Sequence, residues 1–271
     1  PYVLFATGAD AGGGPEVKVN FTNGSSVSFF AYDMAYRGGV RVTMGDLNGD
    51  GTNEIITGTG PGGGPNIRVF NVTSSGSVTM VANFFAFEPQ FMGGVYVAAG
   101  NLNGDVSSSG FGIADLIVSA GPGGGPRVIA YSGGANYVNL NNQLCDYFVY
   151  SPAFTGGVSV AAGNVVGAAN SSDELITGAG PGGGPHVVIW TITPGVPYAT
   201  VQSGFFAFEP GFTGGITLAT GNINGDSSSS GNSLDDIIVG AGAGGGPRVK
   251  AFAGNASFAA INNQSQLVDF F

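Results

Sequence analysis

The sequence predicts an all-β fold, a β-propeller of four-stranded blades, and three observations support this prediction. The segment Gly-Gly-Gly-Pro recurs at intervals of 50 to 62 residues, a period typical of repeat architectures. Four short apolar segments of strand length fill each interval, and no window shows a sustained 3.6-residue apolar period. Four strands per unit is the arrangement of a propeller blade. The five copies are Gly12–Pro15, Gly62–Pro65, Gly123–Pro126, Gly182–Pro185 and Gly244–Pro247.

The clearest unit runs from Phe205 to Phe252 and contains four predicted strands with their connections. The first strand leads into a turn rich in Gly and Pro, and the second leads into a polar Asn/Asp loop. The third strand enters the glycine loop, whose glycines permit positive φ and whose proline fixes φ as the next strand begins. The strands are predicted at Phe205–Phe208, Ile216–Gly221, Asp236–Gly240 and Arg248–Phe252.

The same order of elements divides residues 1–271 into five units of one domain. The first unit starts at Tyr2–Thr7, which aligns with the third strand of the scheme, so its inner strand and polar loop are missing. We therefore predict five blades with the first incomplete. The alternative is that a neighbouring molecule, or a segment outside this sequence, supplies the missing strand. The approximate units are 1–36, 37–91, 92–154, 155–212 and 213–271.

Composition favours an extracellular protein and excludes several classes. Apolar residues make up 43% of the chain and charged residues only 9%, and the 51 glycines show no Gly-X-Y period. A net charge of −10 argues against nucleic acid as a partner. No apolar run is long enough to span a membrane. Cys145 is the only cysteine, which excludes an intrachain disulfide and is typical of a small buried side chain.

Several segments together resemble the FG-GAP repeats of integrin-α-type β-propellers and the related repeats of bacterial secreted and adhesion proteins. The resemblance lies in Phe154–Gly157, Phe212–Gly215, Gly178–Pro181 and Asp46–Gly51, and it extends over nearly the whole chain. It implies that each repeat is one blade and that the Asp-x-Asn-x-Asp-Gly loop binds Ca²⁺.

The first polar loop has side chains suited to calcium, which takes six to eight oxygen ligands from carboxylates, amides and carbonyls. Its glycines allow the backbone to curl around an ion. The alternative is an Asx-turn that uses the same residues for hydrogen bonds within the loop. The candidate ligands are the side chains of Asp46, Asn48, Asp50 and Glu54 and the carbonyl of Thr52.

Two further copies of the loop have Asn in place of the first Asp and contain a serine-rich insertion. Each has therefore lost one formal charge but could still close around a cation. The loop of the fourth unit, residues 164–170, has almost no carboxylate, and we predict that it binds no metal. Bound ions would stabilise the folded chain. The candidate ligands are Asn101, Asn103, Asp105 and Asp115 in one copy, and Asn222, Asn224, Asp226 and Asp236 in the other.

No catalytic site can be assembled from the sequence. His186, the only histidine, has no Ser or Cys partner visible in the sequence, and the glycine loops lack the Lys-Ser/Thr of a phosphate-binding loop. The sequence therefore predicts a non-enzymatic protein, with an unassigned propeller hydrolase or lyase as a minor alternative.

The predicted function is that of an extracellular structural or adhesive protein that self-associates into a surface filament or layer. The alternative is a lectin-like module that binds glycans, with Trp190, Tyr96, Tyr131 and Tyr137 as stacking faces or as ordinary packing residues. Six Asn-x-Ser/Thr sequons are candidate glycosylation sites. They are Asn20, Asn23, Asn71, Asn170, Asn255 and Asn263.

Overall fold

The computed structural model describes residues 1–167, 172–196 and 198–271, and these residues form five antiparallel β-sheets arranged as the blades of a propeller. The prediction of an all-β propeller is confirmed. Helix is limited to two single turns of 3-10 helix, Phe258–Ala260 and Asn263–Ser265, within the described part of the chain. No described helix is long and apolar enough to cross a membrane.

The strands follow one another from the inside to the outside of each blade. Blade 1 contains β1 (Val3–Gly8), β2 (Glu16–Phe21) and β3 (Ser26–Phe30). Blade 2 contains β4 (Val40–Gly45), β5 (Glu54–Thr59), β6 (Asn66–Val72) and β7 (Val78–Phe85). Blade 3 contains β8 (Val95–Gly100), β9 (Asp115–Ala120), β10 (Arg127–Tyr131) and β11 (Gln143–Phe148). Blade 4 contains β12 (Val158–Gly163), β13 (Glu174–Ala179), β14 (His186–Thr191) and β15 (Thr200–Phe206). Blade 5 contains β16 (Ile216–Gly221), β17 (Asp236–Ala241), β18 (Val249–Phe252) and β19 (Gln266–Phe270).

Blades 2 to 5 have four strands each, whereas blade 1 has three in the order β1-β2-β3. By register, β1 corresponds to the second strand of the other blades: Gly8 lies opposite Val17 as Gly58 lies opposite Ile67. The strand absent from blade 1 is therefore the innermost one, as the alignment of Tyr2–Thr7 predicts.

The second strand of each blade carries the core. β5, β9 and β13 are buried along their whole length, which explains why they read as unbroken apolar runs instead of alternating strands. Ile55 and Ile56 in β5 are both fully buried although they point to opposite faces of the sheet. Each face contacts an adjacent blade, so burial of this strand joins one blade to the next.

The inner strands lie side by side around a central cavity of about 460 Å³. β4, β8 and β12 each end in a glycine that makes room for a side chain of the next inner strand. A Cβ built on Gly45 would lie 2.7 Å from the Cβ of Ala99, and one on Gly100 would lie 2.6 Å from that of Ala162. The small residues that end these strands are therefore required by the close approach of neighbouring blades.

The glycine loop packs against the Gly-Gly turn that precedes the inner strand of the same blade. In blade 2 the N–H of Gly60 donates to the carbonyl of Gly39 at 3.0 Å, and a Cβ on Gly60 would overlap the carbonyl oxygen of Gly38. Gly39 and Gly62 have φ of 81° and 84°, a region that favours glycine. Blades 3, 4 and 5 repeat this contact, so the two glycine segments of the repeat form one structural unit.

Candidate cation-binding loops

The polar loops lie at one end of the propeller, because each joins the first strand of a blade to the second. They follow β4, β8, β12 and β16, whereas the described residues of blade 1 begin at its second strand. The residues that the sequence assigns to calcium are thus collected into separate loops on neighbouring blades.

Each loop is held by a buried carboxylate at the start of the second strand. The side chain accepts a hydrogen bond from the N–H of an apolar residue inside the loop, and all four carboxylates are at most 2% exposed. We call this contact the carboxylate clamp. The four pairs are Glu54 with Leu47 (2.9 Å), Asp115 with Leu102 (2.8 Å), Glu174 with Val165 (3.0 Å) and Asp236 with Ile223 (2.9 Å).

Burial raises the pKa of Glu54, Asp115 and Glu174 to about 7, because the charged form loses hydration that the backbone N–H groups replace only in part. Glu174 makes the clamp in blade 4, where the loop offers almost no other carboxylate. The clamp is therefore an architectural feature of each of these blades.

The clamp also limits the predicted metal-ligating role of Asp115 and Asp236. In both, the second carboxylate oxygen accepts a further backbone N–H, from Gly133 and from Gly254 respectively, each at 3.1 Å. Both carboxylates are thus directed into hydrogen bonds with the backbone. Glu54 differs, because its Oε1 is buried and has no hydrogen-bond partner.

The blade 2 loop has the hydrogen bonds of an Asx-turn. Asp46 Oδ1 accepts the N–H groups of Gly49 and Asp50 at 2.8 and 3.1 Å, and Oδ2 accepts that of Gly51 at 2.7 Å. Asp50 accepts the N–H of Thr52 at 2.8 Å and a hydrogen bond from Asn48 at 3.0 Å. The five residues predicted as ligands are adjacent, but their side-chain oxygens are mostly occupied by the loop itself.

Within the described part of the chain, the blade 3 loop leaves more oxygen atoms without partners. Asn103 Nδ2 donates to Asp105 Oδ2 at 3.1 Å, which fixes the carboxylate, while Asp105 Oδ1 is buried and has no partner. Asn101 Nδ2 donates to the Asp105 carbonyl at 2.7 Å, and its Oδ1 is also buried without a partner. Burial raises the pKa of Asp105. The Ser107 hydroxyl is a third unpartnered buried oxygen in this loop.

The blade 5 loop repeats this geometry on a different sequence. Asn224 Nδ2 donates to Asp226 Oδ2 at 2.9 Å, and Asp226 Oδ1 is buried without a partner, as is the Ser228 hydroxyl. Asn222 differs from Asn101 because its Oδ1 accepts the N–H of Gly225 at 2.6 Å. The sequence analysis missed both serines, although each stands two residues after the Asp of its loop, a repeated position that could have identified them.

The serine-rich insertions form small hairpins that cover the loop of the preceding blade. Val106 and Gly112 form a β-bridge, and Phe111 and Ser107 pack over the loop glycines of blade 2. A Cβ on Gly49 would lie 2.6 Å from that of Ser107. The blade 5 hairpin packs against the blade 4 loop in the same way. The insertions therefore enclose the loops and reduce their contact with water.

Carboxylates alone do not form a metal centre in the described residues. No group of three or more His, Cys, Asp and Glu side chains there is close enough to hold an ion. A cation in these loops would need amide, hydroxyl and carbonyl oxygens beside one or two carboxylates, a donor set that calcium accepts. In blade 4, residues 168–170 of the loop that we predict to be metal-free lie outside the described residues.

His186 and Cys145 do not form a nucleophile–base pair. The imidazole of His186 packs between the rings of Tyr150 and Phe206, and burial lowers its pKa. Cys145 is buried in the core between blades 3 and 4, and burial raises the pKa of its thiol to about 12. Cys145 is thus the small buried side chain that the sequence predicts.

The aromatic residues considered as sugar-stacking faces make contacts within the chain. Trp190 and Tyr131 are 7% and 4% exposed and pack in the core. The guanidinium of Arg41 lies 3.8 Å from the ring centroid of Tyr96, and the Tyr137 hydroxyl accepts a hydrogen bond from Asn71 at 3.1 Å.

Among the sequons, Asn23, Asn255 and Asn263 lie in exposed turns or in the single-turn helix near the end of the chain. Asn20 and Asn71 instead lie within β2 and β6 and are half-buried. Asn170 lies outside the described residues. Glycosylation stays a prediction.

The fold is similar to that of solved rhamnogalacturonan lyases. One is the exotype lyase YesX, at 13% identity and a TM-score of 0.47, over 93% of this chain and 44% of that one. Another is the Bacillus licheniformis lyase PL11, at 15% identity and a TM-score of 0.48, over 90% of this chain and 49% of that one. A third is the lyase YesW, at 13% identity and a TM-score of 0.43, over 92% of this chain and 44% of that one. The chain spans less than half of each of these structures.

These comparisons correct the functional prediction. The sequence analysis predicts a non-enzymatic structural or adhesive protein that forms a filament or layer, with a lectin-like module as the alternative, whereas the similar structures are enzymes. The prediction of a non-enzyme is therefore contradicted. At 13 to 15% identity the similarity shows the fold alone and assigns no role to any residue of this chain.

No family model and no curated protein matches the chain, so the resemblance to the FG-GAP repeats stays a prediction. Self-association and an extracellular location also stay predictions from the sequence.

Proposed function

We propose that this chain is a calcium-binding propeller whose principal cation sites are the loops of blades 3 and 5. The observation that carries the proposal is a set of buried oxygen atoms that have no hydrogen-bond partner among the described residues, and two of these atoms recur at the same positions of both loops. In blade 3 these atoms are Asp105 Oδ1, Asn101 Oδ1 and Ser107 Oγ, and in blade 5 they are Asp226 Oδ1 and Ser228 Oγ.

Buried acceptors without partners are costly. Leaving one unsatisfied costs about 1–3 kcal/mol, and more when the group is charged. Each loop fixes its Asp carboxylate through Asn103 or Asn224, so that one oxygen is held in place and the other is buried without a partner. A hard divalent cation coordinated by these oxygens and by loop carbonyls would remove that cost. The ion would also tie the serine hairpin to the loop.

The blade 2 loop is a weaker candidate. Three backbone N–H groups already bind the Asp46 carboxylate, and Glu54 Oε1 is the single buried oxygen without a partner in that loop. The proposed order of occupancy is therefore blades 3 and 5 before blade 2, whereas the number of carboxylates alone favours blade 2.

Calcium is expected to raise the melting temperature of the chain, because an ion that binds only the folded state stabilises it. One site at 100-fold excess over its Kd contributes about 2.7 kcal/mol, or roughly 5–10 °C in a chain of this size. Asp105→Asn combined with Asp226→Asn should remove most of this shift, measured by calorimetry in EDTA and in a calcium series. Asp33→Asn, the same change at an exposed turn, is the matched control. A double variant that responds to calcium as the wild type does would refute the proposal.

Asp46→Asn separates the two interpretations of the blade 2 loop. If Asp46 serves chiefly as an Asx-turn acceptor, its replacement lowers stability in EDTA by about 1 kcal/mol through a lost hydrogen bond. The calcium-dependent shift of the melting temperature should then stay close to that of the wild type. Loss of half or more of the shift, with unchanged stability in EDTA, would instead assign the main site to blade 2.

A further inference from the structure

A cleft of about 440 Å³ lies between blades 1 and 2. Blade 1 lines it with Tyr32 and Tyr36, and blade 2 lines it with Arg68, Asn83 and Phe85. The cleft is at the end of the propeller where the glycine loops join second strands to third strands, whereas the polar loops join first strands to second strands at the other end. The cleft is therefore separate from the candidate cation sites.

The Arg68 guanidinium is held in the cleft by neutral groups. Its Nε donates to Asn66 Oδ1 at 3.2 Å, and its Nη1 donates to the carbonyl of Ala31 at 2.8 Å. Its central carbon lies 5.0 Å from the ring centroid of Tyr32, a cation–π distance. Within the described part of the chain, Nη2 has no acceptor and no carboxylate forms an ion pair with Arg68. The guanidinium is thus fixed and still has donors to offer.

Blade 5 shows which group stands at the equivalent place. Arg68 lies directly opposite Asn83 of β7, and Lys250 lies directly opposite Asp269 of β19 at the same register of its blade. Asp269 accepts hydrogen bonds from Nε and Nη2 of Arg248, both at 2.8 Å, and lies 3.8 Å from Lys250 Nζ. Blade 2 therefore has a neutral amide where blade 5 has a carboxylate bound to cations.

Blade 3 has the same carboxylate as blade 5. Asp146 accepts hydrogen bonds from Nε and Nη2 of Arg127, both at 2.7 Å. The space between blades 4 and 5 that corresponds to the cleft is only about 220 Å³, and Arg248, which lines it, is also bound to Glu209. A carboxylate of the chain thus occupies the arginine in blades 3 and 5, whereas blade 2 has a larger cleft beside an arginine without one.

Asn83 supplies a second donor beside Arg68. Its Oδ1 accepts a hydrogen bond from Asn66 Nδ2 at 2.9 Å, and its own Nδ2 has no acceptor among the described residues. Side chains of directly opposed residues on neighbouring strands lie next to each other on one face of the sheet. Two adjacent N–H donors, one of them charged, match the two oxygens of a carboxylate.

Two other side chains restrict the rest of the ligand. Phe85 is 52% exposed and forms part of the cleft wall, so a flat apolar ring would bury area against it. The exposed Asp33 also lines the cleft, and its carboxylate accepts the N–H of Ala35 at 2.8 Å. Its negative charge disfavours a second negative charge on the ligand.

We propose that the cleft between blades 1 and 2 binds a small aromatic monocarboxylate, with the carboxylate on Arg68 and Asn83 and the ring against Phe85. The ligand carboxylate takes the place that Asp146 and Asp269 have in blades 3 and 5. The proposal uses no residue of the polar loops and is independent of the cation proposal.

The test titrates phenylacetate into the ¹⁵N-labelled chain in EDTA, at neutral pH and constant ionic strength, and follows the NMR signals of the Arg68 Nε–H and the Asn83 side-chain amide. Saturable shifts of both signals are expected, with a Kd of about 1–10 mM for so small a ligand. Phenylacetamide has nearly the same shape without the charge and should bind about tenfold more weakly or worse.

Asn83→Asp places a carboxylate opposite Arg68, as in blades 3 and 5, and should weaken phenylacetate binding about tenfold or more. The variant is expected to fold, because Asn83 is exposed and the new oxygens can still accept the hydrogen bond from Asn66. Asn141→Asp, the same change at an exposed position of blade 3, is the matched control and should bind as the wild type does.

Three results would each overturn the proposal. One is equal affinity of the two variants for phenylacetate. Another is equal affinity of the wild-type chain for phenylacetate and phenylacetamide, which would mean that the cleft binds the ring alone. The third is the absence of saturable shifts at Arg68 and Asn83 up to about 50 mM phenylacetate.

Discussion

Replacing Gly60 by alanine is expected to destabilise the propeller by roughly 3 kcal/mol or more, which is the upper end of the usual cost of overpacking. A Cβ at this position would overlap the carbonyl oxygen of Gly38 and lie 2.9 Å from its carbon. The obstacle is backbone, not the end of a flexible side chain. It is also fixed, because the N–H of Gly60 donates to the carbonyl of Gly39. Relief of the overlap would require the Gly-Gly turn and the glycine loop to separate.

Two other glycines serve as controls for this variant. Gly211→Ala adds a methyl group where nothing lies within 4 Å and should change the free energy of unfolding by less than about 0.5 kcal/mol. Gly62→Ala also meets open space, but φ is +84°, so it should cost about 1 kcal/mol through backbone strain. Urea unfolding in EDTA should rank the losses as Gly60, then Gly62, then Gly211. A Gly60→Ala midpoint equal to that of Gly211→Ala would show that the turn and the loop do not pack as described.

The repeated glycines of the sequence predict the number of blades and the place of each strand, because a fixed spacing needs no knowledge of three-dimensional contacts. They do not predict that Gly38 and Gly60 lie against each other. That contact joins segments separated by two strands, and either segment alone reads as an ordinary turn. The incomplete first blade was predictable for the same reason as the repeat, because Tyr2–Thr7 aligns with the third strand of the repeating unit.

The candidate site was less predictable, because the same residue types suit a metal loop and a hydrogen-bonded turn. Asp46 has the residue type and position of a calcium ligand, yet its oxygens accept three backbone N–H groups. Asp115 and Asp236 were assigned to metal, whereas both make the carboxylate clamp. The sequence contained one signal of the clamp, because Glu174 stands at the clamp position of blade 4, whose loop lacks the other carboxylates. Which oxygens stay unpartnered depends on burial by the serine hairpins, and the sequence does not show this.

Glu174 also carries the second large prediction, which concerns pH. Burial is the main reason that its pKa rises from 4.5 to about 7, with the neighbouring charge of Asp173 adding to the effect. The folded chain therefore holds a proton on Glu174 between about pH 4.5 and 7 that the unfolded chain releases. Stability must fall as the pH rises through this window, and the loss remains above pH 7. A shift of this size corresponds to on the order of 3 kcal/mol at pH 8.

Glu174→Gln removes the titration but keeps an oxygen that can accept the N–H of Val165, which the wild-type carboxylate binds at 3.0 Å. We expect the variant to lose less stability than the wild type between pH 5 and pH 8, by the share of Glu174 alone, on the order of 3 kcal/mol, measured by urea unfolding in EDTA. Glu54 and Asp115, whose pKa burial also raises to about 7, and Asp173, whose pKa burial raises to about 6, keep the rest of the slope in the variant. Glu16→Gln, at an exposed position of β2, should follow the wild-type profile. Parallel profiles for Glu174→Gln and the wild type would mean that Glu174 is ionised in the folded chain throughout this range. The clamp would then be a charged contact that stabilises the propeller at neutral pH. Protonation of Glu174 on acidification would in that case lower the stability of the chain instead of raising it.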